Sequence, residues 1–100
     1  MVQIARSKNA IPIRLTDERW DHIIDEHGEL ADQRDHVLET VQDPQRVLAG
    51  QGGELLAVRE VMPDKYLVVV YREFVNDGFI ITAFLTRRIR QLERRTQRWP

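Results

Sequence analysis

The stretch Lys65–Arg88 constrains the fold more than any other part of the chain. Lys65–Phe74 is rich in Val, Leu and Tyr, and Gly78–Thr86 is rich in Ile, Phe and Thr, which are residue types favoured in β-strands. Between them, Asn76-Asp77-Gly78 supplies residues that accept the positive φ angles of a short hairpin turn. The pattern therefore predicts two antiparallel strands joined by a tight polar turn.

Side chains alternate across a strand, so the predicted hairpin has two faces. The more apolar face is expected to pack against helices, and the face with more hydroxyl groups is expected to carry any functional surface. The apolar face consists of Tyr66, Val68, Val70, Arg72, Phe79, Ile81, Ala83 and Leu85. The other face consists of Leu67, Val69, Tyr71, Glu73, Ile80, Thr82, Phe84 and Thr86.

Composition limits the kind of protein to which this hairpin can belong. The chain has 100 residues, of which 42% are hydrophobic, and is expected to form a single domain. It has no cysteine, so disulfides and thiolate metal sites are excluded, and no apolar run approaches the roughly 20 residues of a membrane span. No signal-peptide pattern opens the chain. We therefore expect a cytoplasmic protein with no membrane segment, no metal and no cofactor.

Two helices are predicted before the hairpin. Thr16 is a favoured N-cap, and two acidic residues follow it, so the first helix is expected to run to about Glu26 or His27 and to stop at Gly28. The second helix is expected over about Ala31–Gln42, and it ends because a proline follows shortly after it.

The first helix places one histidine beside the core. Trp20, Ile23 and Ile24 lie at positions i, i+3 and i+4, and His27 at i+7 falls on the same side. His22 is expected nearly opposite, in solvent. Because the two histidines are five residues apart and face different ways, they do not form the zinc-binding pattern H-E-x-x-H.

Three other segments carry weaker strand signals. Ile11–Leu15 is expected to be a short edge strand, a position that tolerates Pro12. Arg46–Ala49 and Glu54–Met62 are expected to be strands as well. Met1–Ala10 shows no useful periodicity and is expected to be mobile.

The turn at Pro63-Asp64 decides the face on which Arg59 lies. A two-residue turn directs Arg59 to the buried side, whereas a three-residue turn with Lys65 in the left-handed conformation directs it to the side of Tyr71 and Thr82. Since an unpaired arginine in a small core is costly, we favour the second arrangement.

Charge is unevenly distributed, although the net charge is only −1. Ten acidic residues in positions 16–43 accompany two arginines, whereas six arginines in positions 87–98 accompany one acid. The basic segment 87–100 is expected to form a short surface helix anchored by Ile89 and Leu92.

Two interpretations of the basic segment stay open. Its arginines could pair with the acidic first helix, within the chain or across a dimer. Alternatively, they could bind the RNA backbone, with Trp99 available for stacking on bases. The RNA-binding set is then Arg87, Arg88, Arg90, Arg94 and Arg95.

The remaining polar inventory fits metal-independent RNA cleavage, in which the 2′-hydroxyl of the substrate attacks the adjacent phosphate. Such a reaction requires groups that move protons and stabilise charge, and it requires no nucleophile from the protein. Histidine transfers protons near neutral pH, and the arginine fork matches phosphate oxygens. The candidates are His27, Arg59, Tyr71, Arg72, Thr82 and Thr86.

Four segments carry a family resemblance: LTDERWDHIIDEHGEL, QDPQRVL, GGELLAVREV and KYLVVVYREFVNDGFIITAFLTRR. Together they resemble the phage-type members of the barnase–EndoU–colicin–RelE-like nuclease superfamily, over roughly residues 13–90. The resemblance implies an α+β fold in which the N-terminal helices pack on a twisted antiparallel sheet of about four strands. It also implies a metal-independent ribonuclease, often a toxin or a domain linked to mobile elements.

The resemblance also implies a role for each matching residue. His27 is the general acid or base, and Arg59 contacts phosphate. Thr82 positions the phosphate, with Tyr71 as its neighbour. The prediction is therefore a single α+β domain that cleaves or binds RNA, as a monomer or a homodimer, with a neutralising protein as a further partner. The alternative is a non-catalytic interaction or immunity-type module that uses an exposed sheet edge and the charged ends.

Overall fold

The predicted hairpin lies at the centre of a seven-stranded sheet in a computed structural model, which describes residues 1–100. The strands are β1 Val2–Arg6, β2 Pro12–Thr16, β3 Arg46–Ala49, β4 Leu55–Met62, β5 Lys65–Glu73, β6 Gly78–Thr86 and β7 Gln97–Trp99. The helices are α1 Asp17–Glu26, α2 Arg34–Gln42 and α3 Ile89–Glu93, with a 3-10 turn at Gly28–Leu30. The strand order is β1-β2-β6-β5-β4-β3-β7, and only the β2–β6 pair is parallel.

The predicted four-stranded antiparallel sheet is wrong, because both ends of the chain add strands. The segment expected to be mobile contains β1, which pairs with β2 along its whole length. Ala5 is the only residue of β1 that is fully buried in the core, and the apolar Val2 and Ile4 are exposed, so the strand adds little to the core. At the other end, β7 pairs with β3 and packs Trp99 against the core. Trp99 is half-buried there, and the ammonium of Lys8 lies 4.8 Å from the centroid of its ring.

The helices are close to the prediction. The hydroxyl of Thr16 accepts a hydrogen bond of 3.0 Å from the backbone N–H of Arg19, which confirms Thr16 as the N-cap of α1. The helix ends at Glu26, and the N–H of the C-cap residue His27 donates to the carbonyl of Ile23. The second helix starts three residues later than predicted, because the 3-10 turn intervenes and buries Leu30.

The assignment of the hairpin's faces is reversed along β5, although Ala83 and Leu85 of β6 lie on the helix-covered side as predicted. Side chains of α1 and α2 share a core cluster with Leu67, Val69 and Tyr71, which were expected on the functional face. Val68, expected against these helices, belongs to a smaller cluster on the other side, against which Ile89 and Leu92 of α3 pack as predicted. This second side of the sheet is called the α3 face below.

A bulge in β6 separates two residues that were expected on one face. Val70 pairs with Thr82, and Tyr71 pairs with Ile80, so Ile81 has no partner in the ladder. An unpaired residue reverses the alternation beyond it. Thr82 therefore lies on the α3 face, and Tyr71 lies on the helix-covered face.

The turn before β5 has two residues, with Asp64 at φ 61°, rather than three. Val61 is unpaired in the ladder, and Arg59 pairs with Leu67. Arg59 therefore shares the helix-covered face with Tyr71, but it does not share a face with Thr82.

The hairpin loop also differs from the predicted tight turn. Glu73 pairs with Gly78, which leaves a four-residue loop at positions 74–77. None of these loop residues has a positive φ angle. Gly78 serves close packing instead: a Cβ there would lie 2.5 Å from Cδ1 of Ile13 and closer still to the carbonyl oxygen of Arg72.

None of the helices combines the length and the apolar character that crossing a membrane requires.

Candidate functional site

A groove between α1 and β6 brings together two of the four predicted catalytic residues. It has a volume of about 290 Å³. The predicted members are His27 and Thr82. The complete lining, called the α1–β6 groove below, is Arg19, His22, Ile23, Glu26, His27, Ile81 and Thr82.

The fold explains why α1 faces this part of β6. The parallel ladder between β2 and β6 includes only Gly78 and Phe79 of β6. Beyond Phe79, β2 no longer pairs with β6, and α1 follows directly from the end of β2. Ile81 and Thr82 therefore line a groove with the helix rather than with a strand.

His27 is held at the end of α1 and is not sealed in the core. Its side chain is 32% exposed. Its ring centroid lies 6.3 Å from that of Phe84, and its Nδ1 lies 3.8 Å from Oε2 of Glu29. The imidazole is thus packed on one side by an aromatic ring and remains accessible from the groove.

Three residues of the groove were not predicted as site residues. Arg19, His22 and Glu26 are exposed and follow one another at positions i, i+3 and i+7 of α1. This spacing places them along one stripe of a helix, next to the stripe of Ile23 and His27. His22 is exposed, as predicted, but it lines the same groove as His27, so the expectation that the two histidines share no site is wrong. The i, i+3, i+7 spacing is the signal that could have identified the set.

Arg59 lies in a different cavity. Its Nη1 donates a 2.8 Å hydrogen bond to Oε1 of Glu39 on α2. That cavity is lined by His36, Glu39, Thr40, Arg59, Glu60 and Val61, and it contains no residue of the α1–β6 groove. Arg59 therefore connects β4 to α2.

Tyr71 is buried and borders a third cavity, together with Glu73 and Trp99. Burial raises the pKa of the Tyr71 hydroxyl, and the nearby carboxylate of Glu73 raises it further. A hydroxyl with a raised pKa stays protonated at neutral pH, so Tyr71 is a poor proton donor or acceptor there. The four predicted catalytic residues thus divide among three cavities.

Arg72, also in the predicted inventory, is tied to the loop before β4. Its Nη2 donates a 2.7 Å hydrogen bond to the carbonyl of Gly52. The N–H of Gly52 in turn donates to Oε1 of Glu54, and this hydrogen bond is the main cause of the lowered pKa of Glu54, with Arg72 contributing. Arg72 therefore holds a loop in place.

The six arginines of positions 87–98 remain free of acidic partners. The ion pairs of the protein involve other cations, and the one acid of the segment, Glu93, is 3.5 Å from Arg46. The predicted pairing of these arginines with α1 within the chain is therefore absent. Arg87, Arg88 and Arg90 border a shallow cavity of about 400 Å³ beside Tyr66. Of the predicted RNA-binding set, Arg94 and Arg95 follow α3 directly.

A scan against protein-family models found no match, and searches of the curated proteins and of the solved structures found none either.

Proposed function

We propose that the protein binds RNA and cleaves it without a metal ion, in the α1–β6 groove. One observation supports this proposal most. Two imidazoles, a guanidinium, a carboxylate and a hydroxyl line a single accessible groove, and they belong to His22, His27, Arg19, Glu26 and Thr82. The imidazoles can transfer protons, and the guanidinium and the hydroxyl can donate to the phosphate, which is what cleavage by a 2′-hydroxyl requires.

In this reaction the 2′-oxygen attacks the neighbouring phosphorus, and the 5′-oxygen of the next nucleotide leaves. A 2′,3′-cyclic phosphate remains on one product. One imidazole accepts the proton of the 2′-hydroxyl, and a protonated imidazole donates to the leaving oxygen. His27 and His22 take these two roles. His27 is the better positioned of the pair, because Phe84 packs against its ring.

Charge builds on the phosphorane in the transition state. The guanidinium of Arg19 offers paired N–H donors for two phosphate oxygens, which is the geometry that arginine matches best. The hydroxyl of Thr82 donates one further hydrogen bond from the floor of the groove. Arg59 and Tyr71 take no part in the proposed reaction, because each borders a cavity that is separate from the α1–β6 groove.

The arginines without acidic partners complete the proposal. A basic segment attracts the RNA backbone over several ångströms, whatever the nucleotide sequence. Three further parts of the proposal are supported by the sequence resemblance: membership of the phage-type barnase–EndoU–colicin–RelE-like family, a toxin or mobile-element role, and a neutralising protein partner. A cytoplasmic location is also part of the proposal.

The products of the reaction test the proposal. Purified protein is incubated with end-labelled RNA in EDTA, and the ends of the fragments are analysed. We expect fragments with 2′,3′-cyclic phosphate ends. The matched control is the same RNA with a single 2′-deoxynucleotide at the main cleavage site, which should block cleavage there. Fragments with simple 3′-hydroxyl ends, or cleavage at the deoxy position, would contradict the mechanism.

A further inference from the structure

We propose that Phe74 and Phe79 form a subsite on which one base of single-stranded RNA stacks. The inference rests on the proposed function, because it names how the same protein holds its substrate. It concerns a different part of the surface from the α1–β6 groove and from the basic segment.

The two aromatic rings lie in contact with each other and with solvent. Phe74 is 54% exposed and Phe79 is 37% exposed. Their ring centroids are 6.1 Å apart, with an angle of 39° between the planes. Base–aromatic stacking is the usual way in which proteins hold single-stranded nucleic acid without reading its sequence, since every base offers a flat face.

The register of the sheet gives the surroundings of Phe79. Ile4 pairs with Arg14, Arg14 with Phe79, and Phe79 with Arg72, so these four residues form one row across β1, β2, β6 and β5. Paired residues lie on the same face of a sheet. The row therefore places an aromatic ring between two guanidinium groups on the α3 face.

Both neighbouring arginines are already engaged. Arg14 makes two hydrogen bonds, of 3.0 and 2.8 Å, to the carboxylate of Asp77. Arg72 is bound to the carbonyl of Gly52 and lies near the carboxylate of Glu54. Because carboxylates balance their charge, this row is poorly suited to hold a phosphate. It is better suited to hold a base, while the free arginines of positions 87–98 hold the backbone.

The subsite is continuous with the proposed reaction site. The bulge at Ile81 places Thr82 on the same face of β6 as Phe79. Their partners on β5, Val70 and Arg72, are two residues apart, which corresponds to about 7 Å along a strand. Nucleotides of one strand can therefore occupy the groove and the stacking subsite together.

Equilibrium binding to an uncleavable RNA tests the subsite. The probe is a short fluorescent RNA with every 2′-hydroxyl methylated, and its anisotropy is measured at several salt concentrations. Phe79→Ala and Phe74→Ala should each weaken binding by roughly 5- to 150-fold, the range for loss of one base stack. The slope of log affinity against log salt should not change, because no phosphate contact is lost. Phe79→Trp, which keeps an aromatic ring at this position, should bind the probe about as tightly as the wild type does.

Val75→Ala is the matched control, because Val75 lies in the same loop, is 84% exposed and cannot stack. It should bind as the wild type does. Equal loss in Val75→Ala, or binding by Phe79→Trp that is no tighter than binding by Phe79→Ala, would overturn stacking. Circular dichroism checks that each variant is folded.

The outcomes separate this inference from the proposed function. If the wild type binds the probe through the two phenylalanines but leaves ordinary RNA intact, the cleavage proposal fails and the subsite stands. If the wild type cleaves and binds RNA but neither phenylalanine matters, the subsite is overturned and the groove stands. If the wild type binds no RNA, both are overturned.

Discussion

Tyr71 and Thr82 show how a single residue determines which side chains can act together. The sequence predicted both of them on the same face of the hairpin, on its two neighbouring strands. The unpaired Ile81 nevertheless sends them to opposite faces of the sheet. Tyr71 becomes a buried core residue, and Thr82 becomes part of an accessible groove.

Tyr71 leads to a prediction about stability in alkali. Its raised pKa means that the folded protein keeps the hydroxyl proton at pH values where the unfolded chain, with a pKa of about 10, releases it. Its contribution to stability is therefore complete below about pH 10 and decreases as the pH rises. Above that pH, Tyr71 lowers the free energy of unfolding of the wild type by up to about 1.4 kcal/mol per pH unit. Tyr71→Phe should lack this decrease, because it has no hydroxyl to titrate.

Urea unfolding at a series of pH values from neutral to alkaline measures this effect. Tyr71→Phe should also cleave RNA at neutral pH at a rate within about twofold of the wild type, because its hydroxyl has no catalytic role in the proposal. An unchanged alkaline profile would contradict the assignment of a buried, protonated hydroxyl. A large loss of cleavage would return Tyr71 to the active site.

At the scale of single residues, the sequence indicated which side chains are candidates for a site better than it indicated which of them lie together. His27 and Thr82 were expected to share a site, and they line one groove. Arg59 and Tyr71 were expected to join them, but they do not: the bulge at Ile81 puts Thr82 on the face opposite both residues, and each of the two borders a different cavity. A bulge adds one residue to a strand without changing its composition, so alternation alone cannot locate it.

At the scale of helices and strands, the pairing of β2 with β6 determines the position of α1. It is a short parallel pairing centred on Ile13 and Gly78, and α1 leaves from the end of β2. Gly78 permits the close approach of the two strands, because a Cβ there would collide with Ile13 and with the backbone of Arg72.

Gly78→Ala should therefore lower the free energy of unfolding by about 1 to 3 kcal/mol, the usual cost of overpacking. Gly28→Ala is the matched control, because no atom lies within 4 Å of a Cβ at that position and its φ is not positive. It should leave stability unchanged or raise it by less than about 1 kcal/mol. The measurement is urea unfolding of both variants beside the wild type, and equal stability of the two would contradict the close packing.

Elements with a strong local signal were predictable, and those that depend on distant partners were not. The N-cap and apolar stripe of α1 and the two strands of the hairpin were identified from their own residues. Strands β1 and β7 were missed, because each contributes little to the core and is held by pairing with a neighbour far away in sequence. The parallel β2–β6 pairing has no local signature of any kind.

Across the whole molecule, acidic and basic residues occupy different regions. The acids of α1 and the segment after it are mostly exposed, and the six arginines of positions 87–98 have no acidic partner. An arrangement of this kind favours a polyanionic partner at the basic region.

Replacing Arg87, Arg88 and Arg90 together by Ala should weaken RNA binding and reduce its dependence on salt. Each phosphate contact to a single strand contributes about 0.7 to the slope of log affinity against log salt, so three lost contacts should lower the slope by roughly 2. Arg59→Ala is the matched control, since Arg59 is paired with Glu39, and it should leave the slope unchanged. The same slope in the triple variant and the wild type would exclude these arginines from the RNA interface.

The central claim is that RNA is cleaved in the α1–β6 groove. The most direct test compares the cleavage rates of His27→Ala and His36→Ala. His36 is exposed on α2 and lines a different cavity, so its loss is a matched control. With both variants folded and EDTA present, we expect His27→Ala to be slower than the wild type by at least about 100-fold, as for loss of a general acid or base, and His36→Ala to be within about twofold of it. Equal rates for the two variants would contradict the claim.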